Sequence, residues 1–335
     1  MRFVSIFRDK RLAHACRGGA LALSVVAVTV GLPAQESAPS ATYRARTDLV
    51  VLQVAVTDAR HQYVSGLRVE DFTVYEDGVR QEIAVFASAT APLDVMLLID
   101  TSGSMLGRLD VAKRAAIDLL ASLNEGDRAG LILFNTYAEF AHPITEDLGK
   151  VAAAIRGASA DGATALYEAV YVALSALAHA QPPDGGIRRQ ALVVLSDGAD
   201  NFSHIPFQYA LQSARASDVT IFTILLGSPL PGNPLATNAP WRDATVRFEM
   251  RRLAEDTGGR LFTASAAEEL SHVYHQIGKE LREQYWLAYA ATNRPGFRRV
   301  SVRVTRPPGL QARTRTGYDA SSRVTASSRM RRPTP

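Results

Sequence analysis

A chain of 335 residues, 47% hydrophobic and 21% charged, has enough apolar material for a sizeable core, which excludes a disordered or fibrous polymer. Its formal net charge of +4 would fit a nucleic-acid binder only if it were spread over the folded body, and it is not. The single cysteine, Cys16, excludes a disulfide framework.

The first 34 residues read as an export signal. Arg2, Arg8, Lys10, Arg11 and Arg17 precede an apolar run from Ala20 to Leu32, followed by Pro33-Ala34. That run makes roughly 20 Å of helix, short of a bilayer core of about 30 Å, so removal after Ala34 is expected over retention as an anchor. No stable transmembrane segment then remains. Cys16 precedes the apolar run, the wrong side for a lipid-attachment cysteine, and its loss leaves a cysteine-free chain suited to a periplasmic or extracellular compartment. Removing the leader also leaves 32 basic against 32 acidic residues, which argues against nucleic acid as a partner. One asymmetry survives: from Arg298 onward there are ten arginines and a single acid, Asp319. This end is expected to be largely solvated, with 319–335 a disordered Arg/Ser-rich tail.

After a linker over 35–48, LVVLQVAVTD places Val50, Leu52, Val54 and Val56 on one face, the period of a half-buried strand. In DFTVYEDGVRQEIAVFA, Asp77-Gly78 separates two further strand patterns, a strong hairpin signal. Residues 49–90 therefore read as β structure. From 91 to 284 apolar strands alternate with amphipathic helices: LDVMLLID, then a helix with Leu109, Ala112, Ala116, Leu119, Leu120 and Leu123 on one stripe, then DRAGLILFN and YAEFA. A helix near 146–156 and another with Leu166, Val170, Leu174 and Leu177 at helical spacing lead to the buried strand RRQALVVLSDG. FQYALQSARAS, VTIFTILLG, VRFEMRRLAEDTGG, GRLFTA and AEELSHVYHQIGKELREQ close the series. This order predicts an α/β fold with a doubly wound, mostly parallel sheet. Period-2 alternation returns over 285–318, where Val300, Val302 and Val304 alternate with Ser301, Arg303 and Thr305. These strands are expected to join those of 49–90 in a small β domain, with the α/β domain inserted between its two halves.

Three polar clusters fall where strands of the α/β segment end, the edge at which open parallel sheets bind ligands. LLIDTSGS brings Asp100, Ser102 and Ser104; GAT brings Thr164; LSDGAD brings Asp197. All five are hard oxygen donors, which suit Mg²⁺, with Mn²⁺ or Ca²⁺ as alternatives, and no histidine or cysteine accompanies them as zinc would require. Gly103 is expected to permit the tight turn between the two serines. If the hydroxyls of Ser102, Ser104 and Thr164 contact the ion while the aspartates hold its waters, the ion stays electrophilic and its open position favours a carboxylate from outside.

DTSGS resembles the D-x-S-x-S signature of von Willebrand factor type A domains, and Thr164 and Asp197 match the two further members of that family's metal-ion-dependent adhesion site. The resemblance implies Mg²⁺ held by Ser102, Ser104 and Thr164, with Asp100 and Asp197 acting mainly through water. It also implies a protein partner whose Asp or Glu completes the shell. The flanks, VAVTDARHQYVSGLRVEDFTVYEDGVRQEIAVF and LREQYWLAYAATN with FRRVSVRVTRPPGLQARTRTGY, are similar to a bacterial group of such proteins described from acidobacteria. That likeness covers most of residues 45–318.

Competing readings stand beside this one. DTSGS alone is also a polar helix cap. LLIDTSG approaches an aspartic protease motif, but Ser102 interrupts it and no second copy follows. No G-x-S-x-G elbow or G-x-x-x-x-G-K loop is present. No enzyme is expected. Asp200 and Asn201 read as a solvated loop with an outer-shell role as the alternative. The loop 228–245 carries Trp241 beside Arg242, either an interface anchor or a tucked Trp. His272 and His275 are expected in packing or solvent, and Tyr285, Trp286 and Tyr289 in the β core. A metal-independent structural role at the cell envelope, exerted through the β domain and the basic end, is the alternative to metal-dependent binding.

Overall fold

The computed structural model describes residues 49–87, 91–180, 188–227, 240–265, 267–292, 294–306 and 308–320. The expected leader, the linker and the tail beyond 320 lie outside the described residues, as do positions 228–239 of the Pro-rich loop. The rest of that loop is helical, because Pro240 opens a helix that takes in Trp241 and Arg242.

Four strands come first: β1 (Leu49–Thr57), β2 (Phe72–Glu76), β3 (Val79–Gln81) and β4 (Ile83–Ala87). Asp77 and Gly78 turn β2 into β3 with φ of 48° and 83°, the left-handed pair that a two-residue hairpin requires. The hairpin is shorter than the sequence predicts, since β3 stays with β2 while β4 crosses to another sheet and pairs antiparallel with β11 (Tyr285–Ala290). After β11 come β12 (Phe297–Val304), β13 (Gln311–Arg313) and β14 (Gly317–Asp319). The two flanks thus build two mixed-origin sheets, ordered β13-β1-β11-β4 and β14-β12-β2-β3. Val50, Leu52, Val54 and Val56 meet Phe72, Val74, Tyr285, Leu287, Tyr289, Val300 and Val302 in one apolar core. Within it Glu76, 3% exposed, accepts the hydroxyls of Tyr289 and Tyr318 at 2.8 and 2.9 Å and that of Thr292. A buried carboxylate persists there because donors replace its lost water.

Between the flanks lie β5 (Leu93–Asp100), α1 (Leu109–Ala121), β6 (Arg128–Phe134), β7 (Ala138–Thr145), α2 (Leu148–Gly157), α3 (Leu166–His179) and β8 (Arg189–Ser196). They are followed by α4 (Phe207–Ala216), β9 (Thr220–Leu226), α5 (Pro240–Asp256), β10 (Leu261–Ala264) and α6 (Ala267–Glu283). The sheet order is β10-β9-β8-β5-β6-β7, parallel except for the edge strand β7. Every residue of β5 is buried because the strand has a layer of helices on each face. Val95, Leu97 and Ile99 pack with α1, α2 and α6, while Met96 and Leu98 pack with α3, α4 and α5, as a two-residue period demands. From β5 the chain steps outward to β6 and β7, then returns to β8 on the other side. The carboxyl ends of β5 and β8 therefore flank the point where strand order reverses.

Polar contacts tie the flanking strands to this α/β unit. Gln53 Nε2 donates to Gln190 O at 3.1 Å, which explains why the middle of β1 is covered on both faces instead of half-buried. Glu280 of α6, fully buried, accepts from Tyr63 Oη at 2.5 Å and from Arg313. The basic end also departs from the solvated segment that composition predicts. Arg298, Arg299, Arg303 and Arg313 lie within strands, Arg298 pairs with Asp77 at 2.7 Å, and Arg315 is 5% exposed against Asp218 at 3.0 Å. His272 and His275 are exposed on α6, whereas Tyr285, Trp286 and Tyr289 are buried as expected. No helix among the described residues is long and apolar enough to cross a membrane.

Candidate metal centre

β5 delivers Asp100 to the carboxyl edge with no exposure, and its two oxygens are already engaged. Oδ1 accepts the Ser102 amide at 2.8 Å and Oδ2 accepts the Ser196 hydroxyl at 2.6 Å. The chain then turns through a short 3-10 segment, Gly103–Met105, which sets Ser102 Oγ and Ser104 Oγ 3.0 Å apart. Ser104 Oγ donates to Asp197 Oδ1 at 2.8 Å, across 93 residues of sequence. Buried Met105 pins the turn from beneath.

Thr164 arrives on a separate loop. Gly103 N donates to Gly162 O at 3.0 Å and Asp161 N to Thr101 O at 2.8 Å, so the two loops run side by side. Thr164, 4% exposed, is gripped by Asn201, whose Oδ1 accepts the Thr164 amide at 2.9 Å and whose own amide donates to Thr164 O at 2.9 Å. The left-handed glycine of the site is Gly162, at φ 79°, and a Cβ there would meet Thr136 Oγ1 at 2.5 Å. Gly103 has no positive φ, and a Cβ there would stand 3.4 Å from the Gly162 carbonyl, at the edge of ordinary contact, so the expected need for glycine in that turn is not met.

The structure thus gathers the loops of all five sequence-predicted residues at one edge. It adds four that sequence reasoning missed or discounted. Ser196 orients Asp100; its only signal was its position beside Asp197 at a strand end. Asn201 and Asp200 do more than line a solvated loop: Asn201 holds Thr164, and Asp200 Oδ2 accepts the Tyr167 amide at 3.1 Å and the Ser203 hydroxyl at 2.5 Å. Arg108 Nη1 stands 3.5 Å from Asp197 Oδ2, a contact without any local sequence signal.

Burial pushes the Asp100 carboxyl up to about 6, with the neighbouring Asp197 charge adding to the rise and the hydrogen bonds from Ser102 and Ser196 opposing it. Burial also raises Asp197, offset in part by the Ser104 hydroxyl and the Arg108 charge. Two buried carboxylates are therefore under-neutralised, a condition that a cation relieves. Among the described residues no three His, Cys, Asp or Glu side chains gather as a cage, so the donor set is hydroxyl-rich. The two serine hydroxyls are hydrogen-bonded to each other at 3.0 Å, a spacing that is also about the cis edge of an octahedron with bonds of about 2.1 Å, the Mg²⁺ value. The residues fit a small hard cation without moving these two oxygens apart.

A doubly wound α/β domain with hydroxyls and aspartates converging at its switch point defines a class of ligand-binding fold. Within that class, residues 95–199 match the family model of the von Willebrand factor type A domain. The chain is 29% identical over 204 residues to the UPF0353 protein of Mycolicibacterium paratuberculosis, a match covering 56% of this chain and 60% of that protein. It therefore spans less than two thirds of that relative's length. Among solved structures, a von Willebrand factor type A protein from Catenulispora acidiphila aligns with 83% of this chain and 75% of its own, at 12% identity and a TM-score of 0.48. The corresponding domain of the type V pili tip protein Mfa5 from Porphyromonas gingivalis aligns with 57% of this chain and 97% of its own, at 14% identity and a TM-score of 0.44.

Proposed function

We propose that this protein is an exported, non-enzymatic binding module whose von Willebrand factor type A domain holds Mg²⁺ and recognises an acidic group on a protein partner. Ser102, Ser104 and Thr164 would provide neutral oxygen ligands, and Asp100 and Asp197 the compensating charge. A bound ion would supply an electrophilic position for a partner's Asp or Glu. The observation that carries this reading is the convergence of two buried, under-neutralised aspartates with a serine hydroxyl pair at the cis spacing of an octahedron. Export, to the periplasm or beyond, rests on the basic and apolar leader.

Calorimetric titration of Mg²⁺ into the wild type and into Asp100→Ala tests the metal. Saturable heat is expected only for the wild type, and equal heats would remove the assignment. Capture of partners from an envelope fraction with Mg²⁺ or with EDTA tests the rest. Capture undiminished by EDTA would favour a metal-independent structural role exerted through the flanking strands.

A further inference from the structure

The arginine-rich C-terminal stretch has no part in the metal centre, yet its folded portion meets other cations at one place. Arg215 at the end of α4, Arg252 on α5, Arg299 on β12, Arg313 at the end of β13 and Arg315 between β13 and β14 line a groove of about 560 Å³ in which Asp256 is the one acidic lining residue. Asp256 Oδ2 accepts from Arg215 Nε and Nη2 at 2.8 and 2.6 Å and from Arg252 Nη2 at 2.9 Å. One carboxylate thus faces two guanidinium groups and leaves a positive charge over. Arg315 is paired with Asp218, and Arg313 shares Glu280 with Arg260. The exposed Arg299 guanidinium has no acceptor among the described residues, so the groove carries a second surplus charge. Two of the buried side-chain atoms without a partner among the described residues, Arg252 Nε and Thr314 Oγ1, also belong to residues of this groove. Buried polar atoms are left unpaired rarely, and an unfilled ligand position is one reason. Arg252 is 38% exposed, which leaves its guanidinium room to turn that donor outward.

We propose that this groove binds a phosphate group, with Arg252 and Arg299 as its principal donors and Arg215 beside them. Two surplus charges match a dianion, and forked guanidinium donors match its tetrahedral oxygens. The site is separate from the metal centre. α4 and α5 end where β9 and β10 begin, so the groove lies toward the amino edge of the main sheet, whereas Asp100 stands at the carboxyl edge.

The phosphate can be free or a lipid headgroup, and two arms of one experiment separate these. Inorganic phosphate is titrated calorimetrically into the full chain in metal-free buffer of constant ionic strength, with chloride as control. In parallel the chain is sedimented with phosphatidylcholine vesicles that contain or lack phosphatidic acid. Saturable phosphate heat identifies a free-phosphate site, and sedimentation with phosphatidic acid alone identifies a headgroup site. In either case Arg299→Gln and Arg252→Gln are each expected to weaken binding about tenfold with unchanged circular dichroism. Arg303→Gln, on the same strand but outside the groove, leaves binding as it was. Binding in neither arm, or binding that Arg299→Gln and Arg252→Gln leave intact, overturns the proposal.

Discussion

Replacing Asp100 with asparagine is expected to stabilise the metal-free protein while abolishing its response to Mg²⁺. The Asp100 carboxyl titrates near 6 in the fold, against 3.8 for the ordinary group. Between those values the folded chain keeps a proton that the unfolded chain has released, so stability falls as pH rises through the window. The rise from 3.8 to about 6, at about 1.4 kcal/mol per pH unit, amounts to roughly 3 kcal/mol lost by pH 7.5. Asparagine removes the buried charge, keeps an oxygen for the Ser102 amide, and presents an NH₂ to which the Ser196 hydroxyl can rotate as acceptor. Urea unfolding in EDTA should therefore show Asp100→Asn more stable than wild type by up to about 3 kcal/mol at pH 7.5 and nearly equal to it at pH 4. Excess Mg²⁺ at pH 7.5 should raise wild-type stability by about 3 kcal/mol when present at roughly 100 times its dissociation constant, and leave the variant unchanged. A variant less stable than wild type in EDTA at pH 7.5 would refute the electrostatic reasoning. One that still gains stability from Mg²⁺ would refute the role of Asp100 in holding the ion.

Three further outcomes follow from particular contacts. Arg108→Gln removes a competing cation 3.5 Å from Asp197 and should tighten Mg²⁺ binding by about threefold in calorimetry. Gly162→Ala forces a side chain into a backbone at φ 79° and against Thr136, so it should weaken Mg²⁺ binding through the Thr164 loop and cost about 1–2 kcal/mol in urea unfolding. Glu280→Ala leaves Arg313 and Tyr63 without their buried acceptor; a loss of about 3–5 kcal/mol is expected by the same assay, with Mg²⁺ affinity of the folded protein unaltered.

The order of strands and helices, the Asp77-Gly78 turn and the polar tips after β5 and β8 were legible along the chain. Each is a local matter, fixed by two-residue or 3.6-residue periodicity and by turn residues. The likeness of DTSGS, Thr164 and Asp197 to a known motif could be read for the same reason. What the sequence left open depends on groups brought together across long separations. The split of the 79–87 run between two sheets is decided by which partner, β2 or β11, each half meets. The pairing of Arg108 with Asp197, the grip of Asn201 on Thr164 and the raised Asp100 carboxyl all require burial and loop packing that no local pattern encodes. The arginines from 298 to 315 show the contrast most plainly. Composition reads them as a charged solvated end, whereas alternating Val300 and Val302 draw their strand into the flanking core and set Arg299 over the groove beside Arg215 and Arg252. Sequence determined which elements form; tertiary packing decided which charges lose their water and which companions they find there.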